Sequence, residues 1–406
     1  MGFSSTSSSS ARTIGTAAAI MSGAAYIFYR SIPTLMTIVT KFQLNPPDDE
    51  IGQIVDEQHN NDITYEELAA LGVIKGKSAL IVGGTRGVGF GTSMALAQAG
   101  AARVTLVGRN EVNGNKAVSR IRKSLQSSSS SSSQCTKVTF LQGDIGTVAS
   151  TKLFLKKLQH DSKSDDDDEG IRYDYLIVTA AIFPQPKQRN PKPLNEDGVE
   201  KSFGIAVVGR FLLYHSAHTF MKQQPTDRSN NNYHRTIILN VCASGGNFPR
   251  KFSRELVRSL GYSHMFNIMN FAIGNELMLR KLVEEDNYDG KKFDLPVITT
   301  HPGYLKTDLH RGQGILMDIA EGVLIHFLGS TEEECGRRQV SILCALACNK
   351  FRRSRRSLLS MVDNFGQGRL INKNTEQDLN EHGNWLWNLL LLIETGCKIN
   401  DASFVP

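Results

Sequence analysis

Acidic side chains are missing from the first 47 positions of this 406-residue chain. Arg12, Arg30 and Lys41 are the only charges there, and serine is abundant. Residues 13–29 are uncharged and largely apolar, and residues 32–39 form a second apolar run beyond Arg30. A segment of this kind is no ordinary globular surface. It reads either as an N-terminal membrane anchor, the reading we prefer, or as a removable organellar transit peptide, which is also Ser-rich and acid-poor. The expected division is an anchor or targeting segment over 1–47, a linker and entry helix over 48–77, and one cofactor-binding domain over 78–400.

Cysteine is sparse and badly spaced for a metal. The six cysteines, at 135, 242, 335, 344, 348 and 397, form no C-x-x-C pair. That excludes a zinc ribbon and a dithiol redox motif. Cys344 and Cys348, four apart, read as one face of a core helix. All six are expected to be reduced, in a cytosol-facing or stromal setting. The net charge is +6, yet no basic, aromatic-rich patch is present, so nucleic acid is not an expected partner.

Against these absences stands one informative stretch, residues 78–110. An apolar run at 79–82 reads as a buried parallel strand. The turn Gly83-Gly84-Thr85-Arg86-Gly87-Val88-Gly89 follows at once, then a helix from about residue 90 to 98, then a second strand at 104–107 ending in Gly108-Arg109-Asn110. Strand, glycine turn, helix, strand is the unit that binds a dinucleotide. Gly83 lets the chain turn off the strand. Gly87 lets backbone amides approach a pyrophosphate. Gly89 lets the helix pack closely, with its positive end toward the phosphates. Thr85, Arg86 and Val88 complete the expected cofactor loop. Arg109 stands just past the second strand, where an acidic residue would bind a ribose hydroxyl. A guanidinium there, with Arg86, suits the 2′-phosphate of NADP(H) in preference to NAD(H).

Further along, strands are expected at 138–141, 175–178, 237–241, 297–300 and 358–362, separated by helical stretches. The longest of these is expected from 196 to 221, and a tail helix carries Trp385 and Trp387. This alternation predicts an α/β, doubly wound parallel sheet with one core. The serine run 127–133, the aspartate run 165–168, the asparagine run 230–232, residues 286–293 and the basic cluster 352–356 each fall between a helix and the next strand. Those connections lie at the edge of a parallel sheet away from its ligand, so the runs read as decorations.

The spacing G-x-x-x-G-x-G resembles the T-G-x-x-x-G-x-G of the short-chain dehydrogenase/reductases, with Val82 at the Thr position. Two further stretches resemble the retinol-dehydrogenase-like, membrane-anchored branch of that family. One is Glu196-Asp197-Gly198-Val199-Glu200, Phe203 and Gly209-Arg210-Phe211-Leu212-Leu213. The other is His301-Pro302-Gly303-Tyr304-Leu305-Lys306-Thr307. The resemblance covers about residues 75–395. It implies a Rossmann-type fold, an oxidoreductase activity on a lipophilic alcohol or carbonyl, and a possible homodimer. It also implies cofactor contacts from Asn110, Asp144 (to the adenine amino group), Ile145, Ala180, Pro302, Gly303 and Thr307.

The same resemblance raises a difficulty over catalysis. The family uses Asn, Ser, Tyr and Lys. The Asn position is Ala206, and the Ser pair is Cys242-Ala243, with Ser244 one place late. Aligning on Asn275-Glu276-Leu277 puts Ser263 at the Tyr position and Asn267 at the Lys position. Tyr262 lies one residue early. Ser244 and Tyr262 are therefore the best remaining catalytic candidates, working through a non-standard proton relay. The alternative is a catalytically silent cofactor-binding or membrane scaffold. The only Y-x-x-x-K, Tyr288 to Lys292, precedes the strand at 297–300 and so sits at the wrong edge of the sheet. An apolar stripe over 315–328 follows the H-P-G turn at helical spacing and reads as a lid for a lipophilic ligand or as core packing.

Overall fold

A computed structural model describes residues 72–128, 136–161, 171–183, 193–222, 236–242, 252–258, 264–284, 295–303, 305–306, 329–347, 359–362 and 379–398. Seven strands form one parallel sheet: β1 (Ser78–Val82), β2 (Arg103–Gly108), β3 (Lys137–Gln142), β4 (Tyr175–Val178), β5 (Ile237–Val241), β6 (Val297–Thr300) and β7 (Leu359–Val362). Their order across the sheet is β3-β2-β1-β4-β5-β6-β7. The chain therefore builds outward from β1 on one side, then returns to lay β4 on its other flank. That reversal opens a crevice past the C-terminal ends of β1 and β4, the standard ligand position of a doubly wound sheet.

Helices cover both faces: α1 (Gly87–Gln98), α2 (Glu111–Ser128) and α6 (Glu332–Ala347) on one, with α3 (Val148–Asp161), α5 (His264–Glu284) and α7 (Asn384–Glu394) on the other. Alternate residues of β1 divide between two cores. Leu80 and Val82 join Leu176, Phe203 and Phe211, whereas Ala79 and Ile81 join Phe90, Leu96 and Leu343. Burial on both faces is why these strands read as unbroken apolar runs. Cys344 is fully buried in the second core, as its spacing predicted.

The expected helix over 196–221 is shorter and broken. Residues 193–200 form a turn closed by a Leu194–Glu200 bridge. The Asn195 side-chain oxygen accepts from the amides of Asp197 and Val199, and Gly198 has φ +81°. This local alternative competes with helix formation. The rod α4 then has three parts: Lys201–Phe203, a π-helical stretch Gly204–Gly209, and Arg210–His215.

Glu200 caps this rod while buried. Its carboxylate accepts from the Phe203 amide at 2.9 Å and the Ser202 hydroxyl at 3.1 Å. Burial raises its pKa above the ordinary 4.5, with the Ser202 and Phe203 amides opposing. For an acid raised on folding, the charged form is disfavoured in the native state. The stability tied to its protonation is complete below 4.5 and is lost as pH rises through the folded value. Glu200→Gln should therefore raise the melting temperature relative to the native chain more at pH 8 than at pH 4. An equal offset at both pH values would show that the carboxyl has the same pKa in the folded and unfolded chains.

Helices α1 and α6 cross at glycines. A Cβ on Gly91 would lie 1.7 Å from the Glu332 carbonyl oxygen, and one on Gly336 would lie 2.0 Å from the Gly91 carbonyl carbon. Both obstacles are backbone, which cannot step aside. Gly336→Ala should cost ~3 kcal/mol or more by overpacking, seen as a melting point lower by roughly 10 °C. An unchanged melting point would refute the close crossing.

Candidate functional site

Gly83 ends β1 with φ +93°, a conformation that suits glycine alone. A Cβ there would lie 2.6 Å from the Ala180 amide nitrogen, and a Cβ on Gly89 would lie 2.3 Å from the Gly83 carbonyl oxygen. The Thr179 hydroxyl donates to the carbonyls of Val82 and Gly83, both at 3.2 Å, tying the turn to the end of β4. Gly87 takes φ +58° and opens α1, which begins inside the glycine turn and not three residues later at Phe90. The start of α1 thus sits at the switch-point crevice. Arg86 precedes it in an extended conformation, with no side-chain cap and no acidic residue in the first turn. The anion at this helix start comes from elsewhere in the chain, as the carboxylate of Glu332 accepts from the Gly87 amide.

The expected cofactor residues fall around this turn. Thr85 packs against Gly108, where a Cβ would lie 2.8 Å from its methyl group. Val88 is partly buried against the second core. Arg86, Arg109 and Asn110 are exposed, and no carboxylate among the described residues pairs with either guanidinium. The Asn110 side-chain oxygen accepts from the Asn113 amide at 2.9 Å and so caps α2. Asp144 accepts from the Gly146 amide at 3.0 Å and shapes its own turn. Ile145 is buried in the first core, so only its backbone can face a ligand. Pro302 and Gly303, the latter at φ +75°, follow β6 at the same sheet edge. The Pro302 carbonyl accepts from the buried Cys335 thiol, whose pKa burial pushes up to about 12, an inert group at neutral pH. Thr307 lies outside the described residues, as do Ser244, Tyr262, Ser263, Tyr288, Lys292, residues 315–328 and the N-terminal segment 1–47. Among the described residues no helix is long and apolar enough to cross a membrane.

Two features escaped the sequence reading. The first is Glu332. Its Oε1 accepts from the Gly87 amide at 2.6 Å, and Arg120 sits 3.7 Å from its other oxygen. A carboxylate from α6 therefore braces the cofactor turn. The run Thr331-Glu332-Glu333-Glu334 signals a helix start, but not this contact.

The second is Arg210. It is completely buried, yet no carboxylate among the described residues pairs with it. Its guanidinium donates to the Asn240 side chain and, at 3.0 Å each, to the carbonyls of Ala180 and Val241. Asn240 also accepts from the Tyr214 hydroxyl and donates to Asn275 and Thr299. Burial drives the Tyr214 phenol far above its ordinary range, with Arg210 opposing. It is a structural hydroxyl and not an acid. A lone charge inside the apolar run Ile205 to Leu213 was the available signal for this network.

The network borders the expected catalytic positions. Ala206 is buried, and its carbonyl accepts from Asn275 Nδ2 at 2.6 Å. Asn267, at the Lys position, is 2% exposed, and among the described residues neither atom of its carboxamide has a hydrogen-bond partner.

The sequence profile of the short chain dehydrogenases matches residues 77–252. Retinol dehydrogenase 14 of Mus musculus is 25% identical over 242 residues, 59% of this chain and 64% of its own length. The chain thus spans just under two-thirds of that relative. The polyprenol dehydrogenase of Homo sapiens is 28% identical over 135 residues, 33% of this chain and 34% of its own. A chloroplastic short-chain dehydrogenase of Brassica napus, TIC 32 A, is 24% identical over 255 residues, 61% of this chain and 69% of its own. Among solved structures, an uncharacterised protein from Mycobacterium paratuberculosis shares the fold, with TM-score 0.51 at 18% identity over 81% of this chain and 96% of that one. With a switch-point glycine turn and a parallel seven-stranded sheet, the chain is similar to the short-chain dehydrogenases over residues 77–252 and, over 59% of its length, to retinol dehydrogenase 14.

Proposed function

We propose that the chain is an NADP(H)-dependent oxidoreductase acting on a lipophilic alcohol or carbonyl compound through a proton relay of its own. The observation that carries the cofactor choice is the pair Arg86 and Arg109, both exposed beside the glycine turn with no described carboxylate on either guanidinium. Two unpaired guanidinium groups offer charge-assisted hydrogen bonds to a 2′-phosphate. The glycine turn fits a dinucleotide, with Gly83 and Gly87 allowing close approach at the start of α1, where a pyrophosphate would have to share or displace the Glu332 carboxylate on the Gly87 amide.

The bound cofactor would supply or accept a hydride at a substrate carbon. This chain's residues would do the rest. Ser244 would orient the carbonyl oxygen, and the phenol of Tyr262 would give or take the proton. Since Asn267 stands at the family's Lys position, the relay would lack the lysine that the resemblance implies, and proton transfer would be slow at neutral pH. The lipophilic substrate is supported by the names of the retinol and polyprenol dehydrogenases among the relatives, and by the apolar residues 315–328. A membrane setting through residues 1–47, or import into an organelle with their removal, and a homodimer belong to the same reading. One observation favours the silent scaffold as a second reading: the Asn position carries only the methyl group of Ala206, whose carbonyl is already engaged by Asn275.

Calorimetric titration of the purified chain tests the proposal. NADPH should bind more tightly than NADH. Binding of neither nucleotide would end the cofactor reading. Tight NADPH binding without any oxidation of it by retinal-like aldehydes would leave the scaffold.

A further inference from the structure

The carboxylate of Glu332 holds a place that a dinucleotide would need. Its Oε1 lies 2.6 Å from the Gly87 amide nitrogen, at the positive end of α1. In the dinucleotide reading that end receives the pyrophosphate. Two anions at one helix start repel each other, and one N–H carries a single proton to share between them.

The packing around Glu332 decides what can move. Helices α1 and α6 meet backbone to backbone, since a Cβ on Gly91 would lie 1.7 Å from the Glu332 carbonyl oxygen. That crossing fixes the Glu332 main chain against α1 and leaves the side chain as the part that can swing. Its own helix does not need it as a cap. The Thr331 amide donates to the Glu334 carboxylate at 2.7 Å, and the Glu334 amide donates to the Thr331 hydroxyl at 3.2 Å, a closed capping box. A second seat is at hand. The guanidinium of Arg120 on α2 lies 3.7 Å from the other Glu332 oxygen and 4.0 Å over the Phe90 ring. A cation held in that position can keep the carboxylate once the amide is given up.

We propose that Glu332 is an internal competitor of the cofactor: its carboxylate holds the Gly87 amide until a pyrophosphate displaces it onto Arg120. This rests on the dinucleotide reading of the site and gives the turn a selectivity. A ligand held at α1 by phosphate alone loses the contest. A ligand anchored elsewhere in the crevice as well, as a dinucleotide with a 2′-phosphate would be, wins it.

The test titrates four full-length proteins: the native chain, Glu332→Gln, Arg120→Gln and the double variant. The ligands are NADP+ and adenosine 2′-monophosphate, which has the 2′-phosphate and no pyrophosphate. Gln keeps a carbonyl acceptor for the Gly87 amide and removes the charge, so the first variant probes the anion and not the shape. Glu332→Gln should bind NADP+ about 10- to 100-fold more tightly, the range of one charge-assisted hydrogen bond, and should bind adenosine 2′-monophosphate as the native chain does. The Arg120 side chain is 54% exposed, so its replacement carries little risk to folding. Arg120→Gln removes the second seat. It should weaken NADP+ several-fold when Glu332 is present and have no effect in the Glu332→Gln background. Weaker NADP+ binding by Glu332→Gln would make the carboxylate a support of the turn, and unchanged binding would place the pyrophosphate away from the Gly87 amide. Either result overturns the proposal, and so does a loss of equal size from Arg120→Gln in both backgrounds. If neither the native chain nor Glu332→Gln binds NADP+ or adenosine 2′-monophosphate, the dinucleotide reading itself falls, and the proposal with it.

Discussion

Restoring four side chains, Ser263→Tyr, Asn267→Lys, Ala243→Ser and Ala206→Asn, is expected to raise hydride transfer to a generic aldehyde by roughly 10²–10⁴-fold, the usual contribution of a positioned acid–base group. The gain should require Tyr and Lys together. A Lys ammonium beside a phenol favours its ionised form and brings its pKa toward the working pH. Each change alone leaves either no acid or an unactivated one. A double-mutant cycle should therefore show strong positive coupling between positions 263 and 267 and weak coupling of either with 243. Single-turnover oxidation of NADPH, followed by absorbance, reads the chemical step directly. Two results would oppose this. Turnover of the native chain at about 1–1000 per second would mean that its own relay is complete and the register assumed for α5 is wrong. A repaired chain that binds NADPH and remains inert would mean that the crevice has diverged beyond these four positions, in favour of the scaffold.

Reversing one charge should reverse the cofactor. A charge-assisted hydrogen bond contributes about 1.5–3 kcal/mol. Arg109→Asp removes one such contact to the 2′-phosphate and sets an anion against it, while offering a carboxylate to the ribose hydroxyls of NADH. The ratio of NADPH to NADH affinity should fall by more than about 100-fold and invert. Arg86→Ala, which removes one contact and adds no repulsion, should narrow the preference without inverting it. Because the contacts are exposed, the effect should shrink at high salt. Calorimetry at two ionic strengths measures both. An unchanged ratio in Arg109→Asp would move the 2′-phosphate elsewhere.

Much of the framework was legible because it is written in local pattern. Strands β4, β5 and β6 have the expected bounds, since burial keeps charged residues out of them, and their polar residues Asn240, Thr299 and Thr300 are hydrogen-bonded inside the fold. The glycine turn was legible because positive φ and close approach leave glycine few substitutes. The start of α4 was misjudged because Glu196 and Asp197 look like a helix entrance, whereas the Asn195 side chain takes the amides that a helix would need. Glu332 was invisible because its partner, Gly87, is 245 residues away in the chain. Arg210 could be seen as an odd charge in an apolar run, but its acceptors come from β5 and from Ala180 just past β4 and emerge only on folding. The identity of Asn267 was plain from the alignment. That its carboxamide has no partner among the described residues is a property of the packed structure alone. The candidates Ser244 and Tyr262 fall outside the described residues, so their roles rest on position in the chain.

The π-helical stretch Gly204–Gly209 has a consequence for how this chain tolerates changes of length. A π turn holds one residue more than an α turn between the same hydrogen-bonded ends. In an ordinary helix, losing a residue swings everything downstream by about 100° and takes each side chain off its partner. Within 204–209 the loss would relax the wide turn to an α turn, leaving Phe203 and Arg210 near their present bearings. Helix α4 thus contains a reserve of one residue beside the crevice. Deletion scanning should find it permissive there and intolerant across α5, where no such slack exists.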